Sequence, residues 1–239
     1  MFTPSGRKPI VTPRALALNE IPGIVEQFRQ GAEHAKQAGF DGVELHGANG
    51  YLLDQFLRDG ANHRTDTYGG SVANRVRLPL EVTEAVVGVW GADRVGYKIS
   101  PHSSFNDMID SNPLATFSHL AKEFSSLGLA YLAVSEDISG PSAVPAHQRV
   151  TPALRGVFRS TLMVNAGYDA ASGGAAVASG AADLVAYASL FLANPDLPRR
   201  FKDRAPLNEP DPATFYTGEE TGYVDYPFLD AVAAQGVTG

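Results

Sequence analysis

Gly42-Val43-Glu44-Leu45-His46-Gly47-Ala48-Asn49-Gly50-Tyr51 decides how the chain is read. It begins as a buried strand and ends in polar side chains. His46, Asn49 and Tyr51 fall within six positions, where an α/β strand would leave the core. In parallel α/β folds, ligands and chemistry collect at the carboxyl ends of strands.

Outward from that point, strands and helices alternate. Upstream, Ile24, Val25, Phe28, Ala32 and Ala35 give one apolar helix face, with Asn19 expected as its cap, Pro22 in its first turn and Gly39 past its end. Downstream, Leu52, Leu53, Phe56 and Leu57 predict a short helix, followed by a polar loop over 58–70. Ser71 is expected to cap a helix running to about Trp90, with Pro79 kinking it or marking a restart. Further strands are predicted from Val95 to Ser100, Ala130 to Val134, Thr161 to Asn165 and Asp183 to Tyr187. Helices are expected after Asn112-Pro113 (apolar side Leu114, Phe117, Leu120, Ala121, Phe124, Leu127), at Thr151-Pro152, after Asp169, and from Asn194-Pro195 to Phe201. Strand followed by helix throughout is the pattern of a parallel sheet with helical crossovers. By itself it does not separate a barrel from a doubly wound sheet. No strand is followed by G-x-G-x-x-G, which argues against a dinucleotide Rossmann site.

Composition narrows the classes. The chain of 239 residues is 44% hydrophobic and carries a net charge of −7 without a basic run, so a sizeable core fits and nucleic acid is an unlikely partner. With no cysteine, disulfides, thiolate catalysis and cysteine metal sites are excluded, which fits a cytoplasmic protein. No apolar run is long enough to span a bilayer, and Met1 to Pro9 has no apolar core of a signal peptide. A metal site at Glu44 and His46 is disfavoured, because no second ligand cluster accompanies them.

Several motifs then agree. His46-Gly47-Ala48-Asn49-Gly50-Tyr51, Asn62-His63-Arg64, Asp66 through Arg75, Lys98-Ile99-Ser100-Pro101, Asn194-Pro195-Asp196-Leu197 and Gly222 through Pro227 occur in family order. Together they resemble the old yellow enzyme family of flavin-dependent ene-reductases, over essentially the whole chain. The resemblance implies the α/β class, an eight-stranded (β/α) TIM barrel holding FMN at its C-terminal mouth. It implies NAD(P)H as reductant and an activated alkene, an α,β-unsaturated carbonyl or nitro compound, as substrate. By resemblance, His46 and Asn49 bind the substrate oxygen in an oxyanion-hole role, and Tyr51 is the general acid. A neutral imidazole and an amide donate without losing a proton, and a phenol keeps its proton at neutral pH. Lys98 would stand near the flavin N1 and C2 carbonyl; a salt bridge inside the mouth is its structural alternative. Ala166, Gly167, Ala188 and Ser189 would form the phosphate end. Tyr223 would line the substrate pocket or pack against the barrel as a tail aromatic. The Asp66–Arg75 segment reads as a hydrogen-bonded loop and helix cap shaping the mouth.

Two departures accompany the resemblance. The family has three further strand–helix units before the His-x-x-Asn strand, carrying a Pro-Leu-Thr turn, a small residue and a Gln at the flavin ring. Only five core strands are predicted here, within one domain over 1–239 whose tail, 204–239, is expected to pack on an incomplete barrel. The expectation is a truncated gene product, an engineered fragment or one half of a split enzyme, impaired unless a complementary N-terminal chain or a homo-oligomer completes it. A non-catalytic barrel fragment or assembly subunit without flavin is the alternative. In addition, the family's Gly-Arg at the phosphate aligns with Ala188-Ser189, which loses a bidentate cation.

Overall fold

The computed structural model describes residues 2–3, 6–7, 13–216 and 219–230. Two short strands, β1 (Phe2–Thr3) and β2 (Gly6–Arg7), pair antiparallel. Helix α1 (Ile21–Gln37) leads into β3 (Val43–Gly47), then α2 (Leu52–Leu57), α3 (Val72–Arg75) and α4 (Arg77–Trp90). Next come β4 (Val95–Ile99), α5 (Pro113–Leu127), β5 (Tyr131–Ser135), α6 (Thr151–Val157), β6 (Thr161–Asn165), α7 (Ala170–Ala178) and β7 (Leu184–Ala186). Helices α8 (Ser189–Ala193) and α9 (Leu197–Asp203) close the series.

Strands β3 to β7 form one parallel sheet in chain order. That order is what successive crossovers on a single face produce, and it is an arc of a barrel rather than a doubly wound sheet. Side chains alternate between the faces. Leu45, Tyr97, Leu132 and Leu162 share one register row, and Ile99, Val134 and Val164 the next. All are buried, and all but Val164 join one cluster with Val82, Val86, Phe117, Leu120, Phe124 and Leu154 of the helices. The opposite face carries Glu44, Gly96, Tyr131 and Thr161 in one row, then His46, Lys98, Ala133 and Met163, then Ser135, Asn165 and Ala186. The Tyr131 ring lies across Gly96, where an added Cβ would come within 2.1 Å of its Cζ. Burial, with Glu44 beside it, pushes the Tyr131 phenol up to about 12.

Local signals explain most element boundaries. Ser71, Asn112 and Asp169 each accept an N–H from the first turn of their helices. Three expectations need correction. Asn19 is not the cap of α1: a 3₁₀ turn over Leu18–Glu20 precedes the helix, and the longer Glu20 carboxylate takes the Ala17 N–H at 2.6 Å while pairing with Arg14. The restart expected with Pro79 is present: the helix over 71–90 breaks at Val76. Restarting at Arg77 leaves Pro79 in the first turn of α4, where its missing N–H costs no hydrogen bond. Asn194-Pro195 opens no helix. Asn194 is buried between α8 and α9, with its side chain bonded to Leu190 O and to both the N–H and O of Asn208. Leu114, at the outer side of the first turn of α5, is exposed.

The tail after α9 is tied to that helix. Arg200, buried and paired with Asp196 at 2.6 Å, donates to Pro206 O and Pro227 O, and the Leu229 N–H reaches the other Asp196 oxygen. Among the described residues no helix is long and apolar enough to cross a membrane.

Candidate active site

Strand β3 ends at Gly47, and the next residues turn sharply. Asn49 (φ 57°) and Gly50 (φ 73°) are consecutive left-handed residues, a costly backbone for asparagine unless its surroundings hold it. Three hydrogen bonds do so. The Asn49 N–H donates to Ser100 Oγ (2.8 Å), Asn106 Nδ2 donates to Asn49 O (2.9 Å), and the Gly50 N–H donates to Asp54 Oδ2 (2.9 Å). Tyr51 then starts α2 in extended conformation. Its ring packs edge-on against His46, with centroids 5.3 Å apart, and remains 56% exposed.

His46 faces the open side of the sheet, and Lys98 is its register partner on β4. Burial lowers the His46 pKa, and the Lys98 charge lowers it further; Glu44 and Asp54 pull the other way. The two leading effects favour the neutral imidazole, the form that donates without giving up its proton.

The expected site residues fall into three groups. Asn49 lines a cavity of about 460 Å³ with His102, Phe105, Ser135, Glu136 and Asp137. There the buried Glu136 carboxylate accepts the Val150 N–H and the Thr151 hydroxyl, and it stands 3.4 Å from His102 Nε2. His46 borders a separate groove of about 480 Å³ along the free edge of β3, beside Gln27 and Phe28. Ala166, Gly167, Ala188 and Ser189 line one cleft of about 740 Å³ at the ends of β6 and β7. Ala166 (φ 81°) and Gly167 (φ 78°) are again consecutive left-handed residues, and a Cβ on Gly167 would fall 2.7 Å from Ser139 Oγ. Their carbonyls are occupied by the Ile138 N–H and the Ser139 hydroxyl. Among the described residues no arginine lines the cleft. Tyr223 stands apart: its hydroxyl accepts the Tyr216 N–H within the tail's own turn.

The Asp66–Arg75 segment is a bonded scaffold. Asn62 Nδ2 donates to Phe56 O and Tyr68 O, Arg64 pairs with Asp66, and Arg75 donates to Leu57 O, Gly70 O and the Thr116 hydroxyl. Sequence reasoning missed the buried groups behind the site, Asp54, Arg58 and Ser100. Their available signal was an Asp–Arg pair spaced i,i+4 across the end of the short helix α2.

The family model described as the NADH:flavin oxidoreductase / NADH oxidase family matches residues 4–208, and the chain belongs to that family. Its flavin is FMN. A relative from Oryza sativa subsp. japonica, provisionally named 12-oxophytodienoate reductase 12, is 51% identical over 229 residues, covering 92% of this chain and 56% of that protein. Morphinone reductase superposes with a TM-score of 0.89 at 47% identity, over 96% of this chain and 62% of its own. The old yellow enzyme homologue from Zymomonas mobilis gives a TM-score of 0.91 at 42% identity, over 95% of this chain and 64% of its own. Two of the morphinone reductase structures are complexes with tetrahydroNAD. The chain thus spans a little over half the length of the first of these relatives, and its five-stranded arc corresponds to part of their barrel.

Proposed function

We propose that these residues form the substrate-polarising and proton-donating part of an FMN-dependent, NAD(P)H-consuming reductase of activated C=C bonds. The observation that carries the reading is the row His46–Lys98, with Asn49 and Tyr51 in the turn directly beyond it.

The residues fit the cofactor in two places. The cleft at Ala166, Gly167, Ala188 and Ser189 would take the phosphate with backbone and a hydroxyl, opposed by the Asp169 carboxylate in the same lining, and Lys98 would supply positive charge to the ring system. The absence of an arginine from that cleft makes the phosphate grip weaker than a guanidinium fork would. When bound, the flavin supplies the hydride for the alkene β-carbon. His46 and Asn49 donate hydrogen bonds to the carbonyl or nitro oxygen and stabilise the charge that develops there. The low His46 pKa serves this role, since a neutral donor does not surrender its proton to the oxygen. Tyr51, exposed beside His46, gives its phenolic proton to the α-carbon. Lys98 would supply positive charge to the cofactor's ring system when it is bound. Tyr223 would serve as a substrate-pocket residue only if the tail brings it to the mouth.

The family barrel has eight strands and the sheet here five. We therefore assign completion of the site to three further strand–helix units of the family barrel, whether carried on the same polypeptide, a complementary chain or a second copy. The test is reduction of 2-cyclohexenone by NADPH in the assembled, flavin-loaded protein. His46→Ala and Tyr51→Phe should each lower kcat/KM by about 100-fold or more. Wild-type rates in His46→Ala would overturn the reading.

A further inference from the structure

One buried ion pair joins the ends of the two strands that carry the site. Arg58 and Asp54 are 1% and 0% exposed, and Arg58 Nε donates to Asp54 Oδ1 at 2.8 Å. The second Asp54 oxygen accepts the Gly50 N–H at 2.9 Å. The remaining guanidinium nitrogens donate to Pro101 O (2.9 Å) and Ser100 O, just beyond β4. Ser100, itself fully buried, closes the circuit by accepting the Asn49 N–H on its hydroxyl at 2.8 Å. The guanidinium also lies 5.0 Å from the centre of the Phe117 ring. The network thus runs from the Asn49–Gly50 turn through Asp54 and Arg58 to Ser100 and back to Asn49.

The chemistry of the pair is informative. Apolar side chains of equal volume could fill this space without loss of stability. They would leave the Gly50 N–H and the carbonyls of Ser100 and Pro101 without these partners. A lysine would keep the charge but could not reach three acceptors in three directions, as the planar fork does. What the pair adds is geometry: it holds two consecutive left-handed residues at a fixed distance from the strand bearing Lys98. A site of this kind needs its donors held closely to the reacting oxygen, and small misplacements are expensive in rate.

We propose that Asp54, Arg58 and Ser100 are positioning residues that fix Asn49 and Tyr51 relative to Lys98. Their catalytic meaning rests on the reductase reading above; the clamp itself does not. Two variants attack the clamp from opposite ends: Ser100→Ala removes the acceptor for Asn49, and Arg58→Lys removes the fork. The first readout is amide hydrogen exchange by NMR, which needs no flavin. Exchange at Asn49 should speed up about tenfold or more in Ser100→Ala, and at Gly50 in Arg58→Lys, with Leu132 and Val164 in the core unchanged. The second readout is the split between kcat and KM in the flavin-loaded protein. Ser100→Ala should lower kcat by about tenfold while KM moves little. Wild-type exchange at Asn49 and Gly50 in both variants would overturn the clamp. Faster exchange with unchanged kcat would overturn the positioning role. If the wild type itself reduces no alkene, the reductase reading fails, and the exchange data alone decide the clamp.

Discussion

The backbone directly after His46 leans on one buried phenol. Tyr97 is fully buried on the helix-facing side of β4, its ring 4.5 Å centroid to centroid from Phe124. Its hydroxyl has no hydrogen-bond partner among the described residues, and burial pushes its pKa far above the usual phenol range. A buried, unpaired hydroxyl costs about 1–3 kcal/mol. Tyr97→Phe keeps the ring contacts and should stabilise the fold by about 1 kcal/mol, since the vacated space partly offsets the gain. Gly47→Ala should do the opposite. Its Cβ would meet the Tyr97 Oη at 2.2 Å, Cε1 at 2.3 Å and Cζ at 2.5 Å, and Phe124 blocks retreat. Overpacking of that kind costs about 1–3 kcal/mol. Because two of the three close contacts are to ring carbons, most of the Gly47→Ala penalty should persist in a Tyr97→Phe background, with a coupling below about 1 kcal/mol. Urea unfolding followed by the fluorescence of Trp90, the chain's one tryptophan, reads all four proteins. A Tyr97→Phe variant destabilised by about 1 kcal/mol or more would refute the reasoning, because the hydroxyl must then have a partner.

Other consequences can be measured separately. The His46 imidazole should titrate below the ordinary histidine range in NMR, and Lys98→Met should raise it; no change in that variant would contradict the placement of Lys98. Because the unfolded chain would take up that proton first, the His46 contribution to stability is full above the unfolded pKa of about 6.5 and declines as pH falls below it. Tyr131 should ionise near pH 12 in an ultraviolet titration, and Glu44→Gln should bring it down. With the folded value raised, its contribution is present below about pH 10 and is lost as pH rises through about 12. Arg200→Met strands Asp196 and the carbonyls of Pro206 and Pro227, and should cost about 3 kcal/mol and speed proteolysis within 205–230. Unchanged proteolysis would mean that Arg200 does not hold the tail.

The sheet was legible in the sequence because its signals are local. Four-to-six-residue apolar runs separated by Asn112-Pro113, Thr151-Pro152 and Asp169 define the crossovers without tertiary information. The His46–Tyr51 turn was legible because polar residues crowd a strand end. What escaped depends on long-range contacts. Nothing near Asn194 announces that Asn208 will bond it. Glu20 displaces Asn19 because Arg14 and Ala17 meet its carboxylate. Arg58 falls at the start of the polar loop over 58–70 in the sequence, yet it, Asp54 and Ser100 are almost fully buried behind the site. The four phosphate-end residues lie in two separated segments, and parallel pairing of β6 with β7 brings them into one cleft.

The most direct test of the account is the visible absorption spectrum after incubation with excess FMN and desalting. It should be taken for the 239-residue chain alone and for the same chain assembled with the first three strand–helix units of a relative. The account predicts a retained flavin band in the assembled protein, weakened by Lys98→Ala, and little or none in the chain alone. A colourless assembly would contradict the flavin site placed on these residues, and stoichiometric flavin on the chain alone would contradict its dependence on further strands.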